Sequence, residues 1–264
     1  MVREIKITES RKDFFEYWTS LNKDGNLVIQ QQNLAFLQTI GKMVNCNFHI
    51  VNHAELRWDV ICTPEAGKLF GHNPASFIKY GYDYTILQMH PQYLDFSIQG
   101  STRIMLDTYY STPVEKRKQI EVYKDFWYKH IEGHNYRYFR VHQKTIIMEL
   151  DNYGRVALTL NQTSDGTHLK REHDASLIIK KANGNFHIYK YSVHEKSIFD
   201  FGILNDRELS ILKLLSVQLT SRQIGELLHI SPNTVDTYRR ILLDKTNCID
   251  TTALVTYAKM LGIV

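Results

Sequence analysis

The sequence lacks the features of a membrane-spanning, exported or hydrolytic protein. No apolar run reaches about 18 residues, and the N-terminus mixes charged and aromatic residues without the apolar core of a signal peptide. The motifs GxSxG, GxxxxGK(S/T) and HExxH do not occur. We therefore expect a cytoplasmic chain that has no membrane partner and is not an enzyme.

Disulfides and metal sites are not predicted either. The three cysteines are few, odd in number and far apart, at Cys46, Cys62 and Cys248, which argues against a disulfide framework and a thiolate metal site. The pairs His49/His53 and His130/His134 have the spacing of metal ligands on a helix. Because both pairs fall in strand or turn patterns, we expect surface or turn histidines there. The sequence identifies no cofactor.

The chain carries only a small excess of positive over negative charge. The net charge of the chain is +4, and residues 203–264 hold seven Lys and Arg against six Asp and Glu. A nucleic-acid partner must therefore be argued from local pattern and not from a strongly basic surface.

Aromatic residues mark a boundary near residue 202. The chain has 16 Tyr, 12 Phe and 3 Trp, and of these only Tyr238 and Tyr257 lie after that position. So sharp a change indicates two cores with different packing, and we expect the junction between them at residues 195–202.

The C-terminal part reads as four short helices, each with a start signal. These signals are N-capping residues, two of them in capping-box spacing: Asn205 with Glu208, Thr220 with Gln223, Ser231 before Pro232, and Asp250. Gly262 stands where a glycine would end the last helix. Only residues 229–231 separate the second and third helices, which is the geometry of a helix-turn-helix.

The third of these helices has two unlike faces. Val235, Tyr238 and Leu242 form its apolar face. The opposite stripe consists of side chains that can enter a DNA major groove: Asn233, Asp236, Thr237, Arg240 and Asp244. Arg239 and Lys245 flank the stripe and could reach phosphates.

Residues 204–263 resemble the LuxR/FixJ type of DNA-binding domain. The positions that carry the resemblance are Arg207-Glu208, Leu219-Thr220, Ile224, Ile230-Ser231, Thr234-Val235, Tyr257-Ala258 and Gly262. The resemblance implies that the third helix enters the major groove and that the fourth often supplies a dimer contact. Asp236, Thr237 and Arg240 would then face bases, while Thr234 and Arg239 would sit near the DNA backbone.

Three positions depart from that family. It usually has Lys, His and Gly where this chain has Asp236, Tyr238 and Gln218. Asp236 loses a phosphate or guanine contact but can accept a hydrogen bond from a cytosine amino group. Gln218 stands at a helix end where a left-handed residue is common, and it can adopt that conformation at some energetic cost.

The N-terminal part predicts helices and antiparallel strands. The predicted elements are helix over 11–44, strands over 48–51 and 58–62, a short helix over 63–71, mostly helix over 92–120, strands over 123–130, 136–150 and 155–163, and a hairpin over 176–192 that turns at Asn183-Gly184. The aromatic strand at 123–128 could line a ligand cavity, but sheet core is the favoured interpretation.

This order of two strands, several helices and three strands resembles a PAS sensor domain over roughly residues 46–171. The segments that carry the resemblance are 58–74, 89–96 and 163–170. Asp165 is carried over as a structural link. The resemblance implies a five-stranded sheet with a cupped face that can hold a small molecule, and a tendency to dimerise.

Together these patterns predict an α+β fold, in which a PAS-like antiparallel sheet with helices precedes an all-α four-helix LuxR-type helix-turn-helix domain. The predicted divisions are 1–45 as a helical extension, 46–194 as the PAS-like domain with its appended hairpin, 195–203 as a linker and 204–264 as the DNA-binding domain.

The predicted function is that of a one-component, sequence-specific transcription regulator whose PAS-like domain senses a signal or mediates dimerisation. The expected partners are double-stranded DNA, a second copy of the chain and a small-molecule ligand. The predicted DNA-binding residues are Asn233, Thr234, Asp236, Thr237, Arg239, Arg240 and Lys245. The alternative is a PAS-containing adaptor whose C-terminal helical bundle binds protein.

Overall fold

The computed structural model describes residues 2–6, 47–53, 57–61, 70–171 and 174–264. The helices predicted over 11–44 and 63–71 lie outside these residues, except for the last two residues of the second one. Cys46 and Cys62 also lie outside them. Within the described ranges, no helix combines the length and the apolar character that a bilayer crossing requires.

The described strands form one antiparallel sheet. They are β1 (Arg3–Lys6), β2 (Asn47–Asn52), β3 (Arg57–Ile61), β4 (Glu121–Glu132), β5 (Asn135–Leu150), β6 (Val156–Asp165), β7 (Ala175–Lys180), β8 (Phe186–Ser192) and β9 (Ser197–Ile203). Their order across the sheet is β1-β9-β8-β7-β4-β5-β6-β2-β3. The long hairpin of β4 and β5 therefore lies at the centre, and residues 176–192 extend the sheet on one side.

Turn residues close the hairpins at the predicted places. β4 and β5 are joined by the two residues between the paired Glu132 and Asn135, and Gly133 there has a φ of 61°. Gly184 has a φ of 84° between β7 and β8. Positive φ at these positions suits glycine, which has no Cβ to clash with the backbone.

Residues 3–6, predicted as part of the helical extension 1–45, form the strand β1. Two further segments differ from the prediction. Residues 197–203, predicted as part of a linker, form β9, which pairs with β8 and with β1. Their Ile and Phe residues favour a strand, and Ile198 is fully buried. The second segment, residues 74–88, for which no element was predicted, is a helix. This helix, α1 (Pro74–Gln88), is capped by Asn73 and bent at Gly81, whose φ is 60°.

Helices and turns cover one side of the sheet, which we call the front face. After α1 come a 3-10 turn (Pro91–Tyr93), a π turn (Phe96–Gly100), α2 (Ser101–Ser111) and a second 3-10 segment (Val114–Gln119). Phe96, Ile98 and Tyr109 pack there against Val122 and Leu177 of the strands. The prediction of mostly helical structure over 92–120 is confirmed.

Four C-terminal helices cover part of the opposite side, the back face. They are α3 (Asp206–Ser216), α4 (Ser221–Leu228), α5 (Pro232–Thr246) and α6 (Thr251–Met260). Their apolar core, including Ile211 and Leu242, is continuous with Tyr123, Ile178 and Ile188 of the sheet. The two parts of the chain therefore share a buried core.

Candidate nucleic-acid interface

The turn between α4 and α5 is tight because two backbone segments approach closely. His229 ends α4 in the left-handed conformation with a φ of 54°, and the Ile230 N–H donates to the carbonyl of Gly225 at 2.9 Å. A Cβ on Gly225 would lie 2.7 Å from the Ile230 carbonyl oxygen. Ser231 then caps α5 by accepting from Thr234 N at 3.1 Å. The predicted helix-turn-helix is confirmed.

The other predicted helix caps are also present. Asn205 and Glu208 form a reciprocal capping box with two bonds of 2.9 Å, and Thr220 and Gln223 form another. Asp250 accepts from Ala253 N at 2.8 Å at the start of α6. These bonds satisfy amide groups that a helix start leaves unpaired, so they fix where each helix begins. Gln218 adopts the left-handed conformation expected at its position, with a φ of 64°.

The N-terminal half of α5 presents a polar edge to solvent. Asn233, Asp236, Thr237 and Arg240 are exposed, while Val235 and Leu242 on the opposite side are fully buried. Thr237 Oγ1 donates to the carbonyl of Asn233 at 3.0 Å and lies 3.3 Å from Arg240 Nη2. Four of the five predicted stripe residues therefore lie on one surface, and Arg240 carries the only positive charge among them.

Asp236 and Arg239 belong to a network that joins three helices. Ser221 Oγ, at the start of α4, donates to Asp236 Oδ1 at 2.6 Å. Arg239 Nη1 donates to Ser221 Oγ at 2.9 Å, and Arg239 Nη2 donates to Thr251 Oγ1 of α6 at 2.9 Å. Sequence reasoning did not identify Ser221 or Thr251, because small hydroxyl residues are ordinary in the first turn of a helix.

Lys245 and Asp244 lie near the C-terminal end of α5 and contact α3, the end of β9 and the segment that follows β6. Lys245 Nζ forms an ion pair with Glu208 at 2.8 Å and donates to the carbonyl of Ile203 at 3.2 Å. Asp244 forms an ion pair with Arg171 at 2.8 Å. The structure therefore places these two residues apart from the exposed edge formed by residues 233–240.

A second candidate site is a small cavity of about 80 Å³ on the front face, lined by polar residues together with apolar ones such as Val51, Met89 and Met105. A chain of hydrogen bonds lines it: Gln143 Nε2 to Asn161 Oδ1 at 2.9 Å, Thr145 Oγ1 to Asn161 Oδ1 at 2.6 Å, Asn161 Nδ2 to Thr159 Oγ1 at 3.2 Å, and a 2.9 Å bond between Thr159 Oγ1 and His53 Nε2. Lys124 also lines it, and burial lowers the pKa of this lysine to about 8.

The expectation of surface or turn histidines is wrong for His49, which is buried in β2, whereas His53 lies in the turn that follows this strand. Both side chains line the cavity, so the four-residue spacing does bring the two rings to one surface. Burial lowers the pKa of His49 to about 3 and that of His53 to about 4. Both rings are therefore neutral near pH 7.

The aromatic side chains of residues 123–128 do not line the cavity. Tyr123 lies on the back face, in the core shared with the C-terminal helices. Phe126 and Tyr128 pack with Phe70 and Phe77 in a separate front-face cluster. The favoured interpretation of this strand as sheet core is confirmed.

Residues 202–258 match the family described as bacterial regulatory proteins, luxR family. This match covers the end of β9, α3 to α5 and most of α6. The C-terminal part of the chain is therefore a LuxR-family helix-turn-helix domain. A comparison with curated protein sequences finds no match.

Solved structures of VqmA align with most of this chain at low similarity. A phage VqmA in complex with DPO is 14% identical, with 88% of this chain and 89% of that chain covered and a TM-score of 0.33. A Vibrio cholerae VqmA–ligand–DNA complex is 13% identical, with 89% of each chain covered and a TM-score of 0.34.

Proposed function

We propose that this chain is a sequence-specific transcription regulator that reads the DNA major groove with α5 of its LuxR-family domain. The observation that carries the proposal is the exposed polar edge of α5, on a helix whose opposite face is locked into the core. A helix presented in this way fits the width of the major groove. We propose a binding role without catalysis, in the cytoplasm where such a regulator meets DNA.

The polar residues of α5 would make two kinds of DNA contact, to base edges and to phosphates. Asn233, Thr237 and Arg240 would contact base edges, with Arg240 suited to the O6 and N7 atoms of a guanine, and Asp236 would accept from a cytosine amino group. The phosphate contacts would come from three further residues: Thr234, Arg239 and Lys245. Lys245 would have to turn away from Glu208 to make its contact.

Selection from a pool of random DNA duplexes with the full-length protein tests this proposal. We expect a recurring sequence, and we expect Arg240→Ala to weaken binding to it by ~1–3 kcal/mol and to relax preference at one guanine. The matched control is Arg103→Ala, which removes an exposed arginine on α2 and should leave binding unchanged. Equal binding by the Arg240→Ala protein would contradict the assignment of α5.

A homodimer is part of the proposal. The nearly neutral C-terminal domain offers few phosphate contacts per copy. Two copies would place their recognition helices about one duplex turn apart, roughly 34 Å. The selected sequence should then be an inverted or direct repeat at that spacing, and sedimentation should show two protein chains per duplex.

The N-terminal part is proposed to be a PAS-like domain that senses a small polar molecule in the front-face cavity. Strands β2 and β3, the helices that follow and strands β4 to β6 have the PAS-like order, and the cavity offers both donors and acceptors. The proposed divisions are residues 1–45, whose β1 joins the sheet, residues 46–203 with β9 included in the sheet, and the DNA-binding domain from residue 204. Native mass spectrometry of the purified protein tests whether it retains a small molecule.

The adaptor alternative predicts a different outcome of the same selection. A protein-binding bundle would recover no recurring DNA sequence, and Arg240→Ala would have no effect on any duplex. The match of residues 202–258 to a family of regulatory proteins favours the DNA-binding function.

A further inference from the structure

A buried polar cluster joins the sheet to the C-terminal domain on the back face. We call it the interdomain cluster, and its members are Asp125, His142, Lys170, Ser176 and Tyr257. All five are at most 5% exposed. Four come from the sheet and the segment that follows β6, whereas Tyr257 comes from α6.

Asp125 is the centre of the interdomain cluster. Its carboxylate accepts from His142 Nδ1 at 2.8 Å, from Ser176 Oγ and from Tyr257 OH at 3.3 Å, and it forms an ion pair with Lys170 Nζ at 3.1 Å. Burial alone would raise the pKa of Asp125, but Lys170, His142 and Arg140 outweigh it and hold the pKa well below its usual range. The carboxylate is therefore charged, and each partner it loses leaves that buried charge less compensated.

Lys170 connects the interdomain cluster to the C-terminal end of α5. Its ammonium lies 3.2 Å from the centroid of the Tyr257 ring and donates to the carbonyl of Thr246 at 2.6 Å. Thr246 is the last residue of α5, where helix carbonyls lack partners and a cation is favourable. A sheet carboxylate is thus linked through one lysine to the C-terminus of α5.

Backbone bonds fix the same helix end to the same segment. Arg171 N–H donates to the carbonyl of Asn247 at 2.9 Å, and Ile249 N–H donates to the carbonyl of Leu169 at 3.2 Å. Tyr123 OH adds a bond of 2.9 Å to the carbonyl of Leu261, just after α6. The edge residues 233, 236, 237 and 240 of α5 are exposed, so the attachment at the C-terminal end of the helix leaves this edge uncovered.

We propose that the interdomain cluster is the element that sets the position of α5 relative to the sheet, so that a dimer held by its N-terminal domains presents two recognition helices at a fixed spacing. Lys170, Asp125 and Tyr257 act as positioning residues, because none of them lies on the DNA-reading edge. This inference rests on the proposed function as a dimeric DNA-binding regulator.

The interdomain cluster and the front-face cavity lie on the same strands. Lys124 and Gln143 line the cavity, and their chain neighbours Asp125 and His142 belong to the cluster. Adjacent residues of a strand point to opposite faces of the sheet. In this proposal, a molecule that shifts β4 or β5 from the cavity side would also shift Asp125 and His142 and, through them, the end of α5.

The test uses full-length Tyr257→Phe, which removes one hydroxyl and keeps the ring. The control is Tyr191→Phe, which removes a buried hydroxyl bonded to the carbonyl of Gln92 within the N-terminal part. The structural readout is hydrogen exchange of the Arg171 and Ile249 amides, whose bonds cross between the two parts. We expect exchange at both amides to rise by about tenfold in Tyr257→Phe and to stay unchanged in Tyr191→Phe.

The functional readout is affinity for the selected duplex with two half-sites and for the same duplex with one half-site scrambled. Tyr257→Phe should weaken binding to the first by about tenfold and to the second by less than about twofold. Equal losses on both duplexes, unchanged affinity, or tighter binding would each overturn the proposal. If wild-type protein selects no duplex, the proposed function fails, while the exchange experiment still decides whether the interdomain cluster holds the two parts together.

A second variant guards against misfolding of the first. Arg171→Ala removes the exposed ion pair with Asp244 at the rim of the same contact and leaves the buried members in place. We expect it to shift both readouts in the same direction as Tyr257→Phe, by a smaller factor. No shift in Arg171→Ala together with an unfolded Tyr257→Phe protein would count against the proposal.

Discussion

At the scale of single residues, α5 contains two kinds of polar side chain. Some bind neighbouring helices, and others are exposed and available to a partner. Asn233, Thr237 and Arg240 are exposed with short-range contacts only, whereas Arg239 bonds to Ser221 and Thr251. A guanidinium has five N–H donors. Arg239 therefore keeps donors for a phosphate even while its internal bonds remain in place.

Arg239→Ala tests the predicted phosphate contact through its salt dependence. Removal of one phosphate contact should reduce the slope of log affinity against log salt by about 0.9, in addition to lowering the affinity. Arg240→Ala is the comparison, because a base contact changes sequence preference and not mainly the slope. An unchanged slope for Arg239→Ala would leave this residue as a purely internal bridge between the helices.

The structural role of a single residue could be predicted from the sequence only where interactions with its near neighbours in the chain determine that role. The caps at Asn205, Thr220, Ser231 and Asp250 follow from side-chain chemistry within three residues, and all four are found. The interdomain cluster could not be predicted, because Asp125 and Tyr257 are 132 positions apart. The apolar spacing is wrong at Leu227, which it places with Ile224 on the core face of α4 but which is 58% exposed.

At the scale of elements, the geometry of the helix-turn-helix depends on one close contact. Gly225 faces the backbone of Ile230, and no side chain fits between them without displacing the turn. The direction of α5 relative to α4 is thus fixed by the absence of a side chain as well as by the apolar core.

Gly225→Ala should destabilise the C-terminal domain by about 1–3 kcal/mol, because the added methyl group must push the α4–α5 turn away. Denaturant unfolding of the full-length protein, with DNA affinity measured below the transition, gives both effects. Glu226→Ala is the control at the neighbouring exposed position, where the lost pair with Arg222 should cost less than about 0.5 kcal/mol. Equal stability of the two variants would show that the turn tolerates the methyl group.

The strands differ in how well sequence patterns predict them. β4 to β8 were predictable because alternation and turn residues agree there. β9 was not, because the loss of aromatic residues after residue 202 marks the end of the sheet and not a flexible connection. The pairing of β9 with both β8 and β1 depends on chain segments far apart in sequence.

At the scale of the whole molecule, the sheet serves two sites on opposite faces. The front face holds the cavity with its neutral histidines, and the back face holds the C-terminal domain through a shared core. An antiparallel sheet with helices followed by a C-terminal helix-turn-helix was predictable from element order, but the contact between the two parts depends on tertiary packing that no local pattern records.

The buried His49 makes stability depend on pH. Its pKa is lowered to about 3 in the folded chain, so the unfolded chain binds more protons below its ordinary value near 6.5. The contribution of the neutral His49 ring to the free energy of unfolding is fully present above about pH 6.5. It falls by about 1.4 kcal/mol per pH unit as the pH drops toward 3. Unfolding measured at pH 7, 6 and 5 should show this loss, and His49→Gln should reduce it, whereas the exposed His168→Gln should not.

The most direct measurement is protection of guanine N7 from methylation on the selected duplex by the full-length protein, since N7 lies in the major groove. The account predicts two protected patches about one duplex turn apart, with one guanine in each patch exposed again by Arg240→Ala. Protection that is absent from the major groove, or a pattern that Arg240→Ala leaves unchanged, would contradict the assignment of α5 as the reading helix.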